Sequence, residues 1–211
     1  MVAARAGRPA PGSGRAAPRS LPNEVRIIGG RWKRSKLPVG DAAGLRPTPD
    51  RIRETLFNWL GQTLDGWRCL DAFAGSGALG FEAASRGAAE AVLLERDAVL
   101  VRSLQATRLR LHADAVRIER ADALQWMGRA PADSFDLVFL DPPFGSPLLV
   151  PALAAAAGIL VAGGLVYVEA AEPLDPAAFS PLGLELHRAS RAGAVAFQLL
   201  RRTEATPPPA D

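Results

Sequence analysis

The stretch Cys69-Leu-Asp-Ala-Phe-Ala-Gly-Ser-Gly-Ala-Leu-Gly80 decides the fold. Its apolar start, reaching Asp71, reads as a buried strand. Gly75, Gly77 and Gly80 then read as a tight turn that opens a helix. Glycine reaches positive φ without strain and lets backbone approach a ligand closely. The helix start adds unpaired N–H groups. The spacing satisfies G-x-G-x-x-G, a pattern that serves more than one adenosine cofactor.

Outward from this stretch the pattern alternates. Short apolar strands are expected at 69–73, 91–95, 116–120, 135–140 and 165–169. Helical segments are expected near 78–86, 97–111, 122–128 and 147–157. Such alternation builds βαβ units and a parallel, doubly wound α/β sheet of Rossmann-like type. The end differs: strand 184–189, a turn at Ala192-Gly193 and strand 195–201 predict an antiparallel pair closing the sheet edge. Upstream, strands 25–28 and 31–37 around Gly29-Gly30 predict a hairpin, with Arg31, Lys33, Arg34 and Lys36 placed around Trp32 on its second strand. Thr48 is the expected N-cap of a further helix, with Pro49 at its first position. Ile52, Leu56, Trp59 and Leu60 follow at helical spacing, and Gly61 can end the helix.

Composition narrows the function classes. The 211 residues carry a net charge of +3, divided unevenly: residues 1–53 hold +9 and the rest −6. A basic head on an acidic body suggests a polyanion-binding surface beside a separate site. The single cysteine excludes a disulfide framework and a Cys-based zinc site within the chain, and two histidines argue against a metal centre. The longest apolar runs, such as 151–162, fall well short of the ~20 residues of a membrane span. Residues 1–22 contain no acid and no apolar periodicity, and read as a disordered basic tail. Residues 204–211 read as a second tail. Between them, 23–47 form a basic hairpin and loop and 48–203 the α/β domain. The expected setting is cytoplasmic.

Two motifs carry chemistry. In the first, Asp71 ends the first strand of the alternating pattern four residues before Gly75, and Glu95 ends the next strand, where a doubly wound fold places a ribose-binding carboxylate. An acid at position 71 repels a pyrophosphate and favours a cationic ligand. That favours S-adenosylmethionine, a sulfonium with an amino-acid tail, over a dinucleotide. In the second motif, Asp141-Pro-Pro-Phe144 follows a buried strand at the sheet's carboxyl edge, the ligand-binding edge of such folds. The prolines fix φ and remove two donors. Asp141 and a proline carbonyl can together accept both hydrogens of an exocyclic amine, while Phe144 stacks on a flat base. The sulfonium is already an activated donor, so positioning supplies most of the acceleration.

Together these residues resemble the class I, S-adenosylmethionine-dependent methyltransferases that act on exocyclic amines. Arg26-Ile-Ile-Gly-Gly-Arg-Trp32, Leu45-Arg-Pro-Thr-Pro-Asp-Arg-Ile-Arg-Glu-Thr-Leu-Phe-Asn-Trp-Leu60 and Phe73-Ala-Gly-Ser-Gly-Ala-Leu-Gly80 extend the resemblance to the bacterial RsmD family, from about Arg26 to Arg202. The resemblance implies methylation of N2 of a specific guanine in 16S ribosomal RNA, within the small subunit. It implies a seven-stranded sheet whose last strand is antiparallel. Asp71, Phe73, Gly75 and Gly77 would line the methionine end of the cofactor. Glu95 would bind the ribose and Asp122 the adenine amino group. Asp141, Pro142, Pro143 and Phe144 would hold the guanine. Arg26, Arg31, Lys33, Arg34, Lys36 and Arg46 would grip RNA phosphates. No metal and no membrane enter this reading.

Other readings stay open on the residues alone. Asp-Pro-Pro-Phe also serves amino-methyltransferases acting on DNA adenine or protein glutamine. The glycine spacing with Glu95 also fits a nicotinamide-dependent oxidoreductase, and the basic head fits a non-catalytic RNA-binding factor. Arg51 and Arg53 fit either a solvated helix face or RNA contact. Trp32 is either a packing anchor or a stacking platform, and Cys69 reads as core.

Overall fold

The computed structural model describes residues 24–39, 49–143 and 145–203. A two-stranded ribbon comes first, from β1 (Glu24–Arg26) and β2 (Lys36–Pro38), followed by α1 (Asp50–Trp59). The alternating part runs β3 (Arg68–Asp71), α2 (Ala78–Ser85), β4 (Glu90–Glu95), α3 (Ala98–Leu111), β5 (Val116–Arg120), α4 (Ala123–Met127), β6 (Phe135–Leu140), α5 (Leu149–Ile159) and β7 (Leu160–Ala170). Strands β8 (Leu184–Ala192) and β9 (Val195–Arg202) close the fold.

Strands β3 to β9 form one sheet in the order β5-β4-β3-β6-β7-β9-β8. Pairings among β3 to β7 are parallel, and β9 is antiparallel to both β7 and β8. The predicted antiparallel pair is present, but its second strand lies inside the sheet and β8 forms the edge. Phe197, Leu199 and Leu200 are buried, whereas most of β8 is exposed. Burying the more apolar strand fixes this order.

The sheet divides two apolar layers. On one face α1, α2 and α3 pack over Leu93, Leu137, Phe139, Tyr167 and Leu199, and Val25, Ile27 and Leu37 of the ribbon join this cluster. On the other face α4 and α5 cover Leu70, Val92, Val138 and Val166. In α1, Ile52, Leu56 and Phe57 are fully buried, each worth roughly 1.5–3 kcal/mol relative to exposure. Trp59 stacks on Phe197 with ring centroids 5.2 Å apart. Leu60 caps this helix and Gly61 follows at φ +91°, as its sequence position predicts. The helix starts at Asp50 with Pro49 as N-cap, one residue later than expected. Thr48 lies outside the described residues.

The ribbon departs most from expectation. The second strand is only Lys36–Pro38, so Arg31, Lys33 and Arg34 sit in the connecting turn and not on a strand. Gly29-Gly30 serves close approach to α2 rather than a two-residue hairpin. Gly30 has φ +70°, and a Cβ there would stand 1.8 Å from the Ser85 carbonyl oxygen. Further on, β7 begins at Leu160, five residues earlier than predicted, since Gly163-Gly164 interrupts the apolar run that signals a strand.

Candidate functional site

The strand order runs β3-β4-β5 to one side and β6-β7 to the other, so the parallel neighbours β3 and β6 form the switch point whose carboxyl edge is the ligand-binding crevice of such sheets. Both motifs converge there. Asp71 pairs with Leu93 on one side and Phe139 on the other, so the first motif ends two residues short of Asp141 on the neighbouring strand.

Asp71 is 2% exposed. Its Oδ2 accepts the Gly80 N–H at 2.9 Å, bracing the glycine turn from below. Burial pushes its carboxyl up to about 7; the Gly80 and Phe73 amides pull it down, and Glu95 and Glu169 push it further up. Gly75 and Gly77 have φ of +51° and +76°, and Gly77 caps α2. A Cβ on Gly77 would approach Leu104 and Phe81 to 2.7 Å. Glu95, half-buried at the end of β4, accepts the Gly75 N–H at 3.0 Å through Oε2 and the Asp97 N–H at 2.9 Å through Oε1. A carboxylate offers about four acceptor directions, so capacity for hydroxyl donors remains. Asp122 is exposed, caps α4 and accepts the Gln125 N–H at 3.0 Å. Phe73 is half-buried beside the turn.

On the other side of the crevice Asp141 is half-buried, Pro142 buried and Pro143 exposed. The Pro143 carbonyl accepts the Ser146 N–H at 3.1 Å. Phe144 lies outside the described residues. The crevice thus gathers the carboxyl groups of Asp71, Glu95 and Asp141 around the glycine turn. Their ionised forms favour a cation and disfavour a pyrophosphate. This acceptor set fits a sulfonium that carries an ammonium tail.

Sequence reasoning passed over two groups. Tyr167 and Glu169, on β7 beside β6, are buried, and the Tyr167 hydroxyl donates to Glu169 Oε1 at 2.9 Å. Their signal was legible: two polar residues at i and i+2, hence on one face, in an otherwise apolar strand. The second group anchors the basic turn. Arg31 N–H donates to the Ser85 carbonyl at 2.7 Å and Trp32 N–H to Ser85 Oγ at 2.9 Å. Ile28 N–H donates to Glu82 Oε2 at 2.8 Å. Glu82 also takes Arg53 Nη1 at 3.4 Å and Arg86 Nε at 2.8 Å.

The polyanion candidates fall into three groups. Arg31, Lys33 and Arg34 are exposed on the turn. Arg26 and Lys36 are exposed but ion-paired, with Asp50 at 3.6 Å and Glu24 at 2.6 Å. Arg46 lies outside the described residues. Arg53 is fully buried between Asp50 and Glu82, so it is structural, while Arg51 is exposed. Trp32 packs against the core as an anchor. Cys69 is core, its thiol pushed up by burial. Among the described residues no group of His, Cys, Asp and Glu is arranged to hold a metal ion.

Sheet order, glycine turn and switch-point crevice define a Rossmann-like protein of the methyltransferase class, and solved structures agree. A methyltransferase structure from Escherichia coli superposes with a TM-score of 0.74 at 40% identity, covering 85% of this chain and 98% of that one. The profile of the family described as conserved hypothetical protein 95 matches residues 25–201. This chain is 43% identical over 181 residues to the ribosomal RNA small subunit methyltransferase D of Escherichia coli (strain K12), covering 85% of this chain and 90% of that protein. With the protein of the same name from Haemophilus influenzae the identity is 38% over 182 residues, covering 83% and 93%. The chain belongs to this family, the RsmD family.

Proposed function

We propose that this protein transfers a methyl group from S-adenosylmethionine to the exocyclic N2 amine of a guanine in 16S ribosomal RNA, on an assembled or assembling small subunit in the cytoplasm. The carrying observation is the meeting of the acid-lined glycine turn with Asp141-Pro142-Pro143 at one crevice. Relatives named for small-subunit ribosomal RNA methylation support the substrate class.

S-adenosylmethionine, when bound, supplies an activated methyl group. The chain's own residues bind and orient. Asp71, Phe73, Gly75 and Gly77 take the methionine end, Glu95 the ribose hydroxyls and Asp122 the adenine amine. Asp141 and a proline carbonyl hold the two hydrogens of the guanine amine. The Pro143 carbonyl already accepts the Ser146 N–H, and the Pro142 carbonyl is assigned as the second acceptor. Holding both hydrogens aims the nitrogen lone pair, and Asp141 is placed to receive the proton that the amine loses as its N–C bond forms. Phe144 stacks on the base. The base must leave its stack at a cost of a few kcal/mol, offset by phosphate contacts from Arg31, Lys33 and Arg34. Arg26 and Lys36 complete that set once RNA phosphates compete with Asp50 and Glu24, their present partners, and the family resemblance assigns Arg46 to it as well.

The test is transfer of labelled methyl from S-adenosylmethionine to unmodified small subunits, naked 16S RNA and duplex DNA, with nucleosides identified by mass and retention. N2-methylguanosine from subunits or RNA is expected. Methyladenine in DNA, or label in protein, would overturn the substrate assignment. Asp141→Ala should lower transfer at least 10²-fold while binding of S-adenosylhomocysteine, which lacks the sulfonium charge, changes less than threefold (rough magnitudes for a positioning group); equal loss of both would remove the role given to Asp141.

A further inference from the structure

Among the described residues, the Tyr167–Glu169 pair is a buried polar pair beside the crevice that the proposed reaction leaves unused. Strand register fixes its place. Asp71, Phe139 and Tyr167 lie in one row across β3, β6 and β7. Leu140 pairs with Val168, so the next step brings Asp141 beside Glu169. Residues two apart share a face, so Glu169 shares the face of Asp71 and Tyr167. It is 3% exposed and fixed by the Tyr167 hydroxyl at 2.9 Å. A phenol donating to a carboxylate stabilises the charged form.

We propose that Glu169 is a charge-selecting residue: its buried carboxylate gives the crevice a negative potential that holds the cationic methyl donor more tightly than the neutral thioether left after transfer. The inference rests on S-adenosylmethionine being the donor. The two ligands share the same nucleoside and amino-acid tail and differ by one methyl group and one positive charge at sulfur. Asp71 faces the same crevice and feels the charge of Glu169. Tyr167 feels that of Asp141. The acid of β7 therefore acts on that of β3 across the crevice, and Asp141 acts on the tyrosine that holds Glu169. In transfer the S–CH₃ bond breaks, its electron pair stays on sulfur and the positive charge there disappears. A field that favours the cation then discriminates against the spent cofactor and helps exchange it.

The experiment is calorimetric titration of the full chain with S-adenosylmethionine and, separately, S-adenosylhomocysteine, at pH 8.5, where Asp71 is ionised. Glu169→Gln keeps the shape and the acceptor for Tyr167 but removes the charge. The ratio of the two dissociation constants should shift against S-adenosylmethionine by about four- to fifteenfold. That is the effect of one charge at two strand spacings, roughly 10 Å, at an effective dielectric of 20 to 40. The S-adenosylhomocysteine affinity should stay within about twofold, which also reports an intact fold. Glu169→Asp keeps the charge and should keep the wild-type ratio. Equal weakening of both ligands in Glu169→Gln would show a merely structural residue and overturn the proposal. So would loss of the ratio in Glu169→Asp with S-adenosylhomocysteine binding intact. If the wild-type protein binds neither ligand, the cofactor assignment itself fails, a different result from an unchanged ratio.

Discussion

Asp71 couples proton binding to the glycine turn. Its carboxyl ionises near 7 in the fold against 3.8 when unfolded, mainly because of burial. The folded state therefore binds the extra proton between those values. Its stabilising contribution is complete below about pH 4 and is lost as pH rises through about 7. Three units correspond to roughly 4 kcal/mol as an upper limit. Asp71→Asn should flatten the pH dependence of stability between 4 and 7, read from denaturant unfolding at several pH values. Cofactor binding runs oppositely: a cation prefers the ionised acid, so wild-type affinity should fall on acidification below 7. An unchanged stability profile in Asp71→Asn would show that the proton resides elsewhere. The identity and place of this acid were legible from one strand and one turn. Its shifted ionisation was not, because that depends on burial and on Glu95 and Glu169, 24 and 98 residues away.

At the scale of elements, α2 joins two functions. Gly77 caps its start and Gly80 lies in its first turn, while its last turn receives the basic turn through Glu82 and Ser85. Glu82 is wholly buried with two arginines. Burial holds its carboxyl above the ordinary range despite the Ile28 amide, Arg86 and Arg53. Replacing it by Ala strands buried guanidinium charge, which costs about 3–5 kcal/mol. Glu82→Ala should therefore lower the denaturation midpoint markedly, as checked by urea unfolding followed by circular dichroism; a loss below about 1 kcal/mol would mean the arginines find other partners. The periodic elements here were readable: β5 and β6 match their expected limits, and α2 and α3 differ by one residue at one end. The turn at Gly29–Arg34 was not, because its hydrogen-bond partner Ser85 lies 53 residues from Trp32. A glycine pair signals a hairpin locally and a close approach only once its neighbour is known.

For the whole molecule, the eight residues of α2 span about 12 Å, which separates the basic turn from the glycine turn. On the proposed function, phosphates gripped by Arg31, Lys33 and Arg34 should therefore belong to nucleotides other than the one presented to Asp141. Replacing the three by Ala should weaken RNA binding nearly uniformly across sequences. It should also reduce the slope of log affinity against log salt by about two to three. Cofactor affinity should not change. An unchanged slope in a filter-binding salt series would move the phosphate contacts elsewhere. The excess of positive charge in the first 53 residues was legible by counting. Which of those charges face solvent was not: Arg53 sits in the core, and Arg26 and Lys36 hold acids, by contacts that only the folded chain makes.

The placement of β9 inside the sheet also sets the order of events at birth. Until residues 195–202 leave the ribosome, β7 and β8 have nothing between them, and each presents an open row of amides and carbonyls. Such exposed rows pair readily with other chains. The nascent protein can assemble β3 to β7 early, through crossovers of modest length, but the sheet closes only when its last strand threads home. Chains interrupted before residue 195 should therefore aggregate rather than persist as soluble fragments, and chaperone dependence should peak late in synthesis.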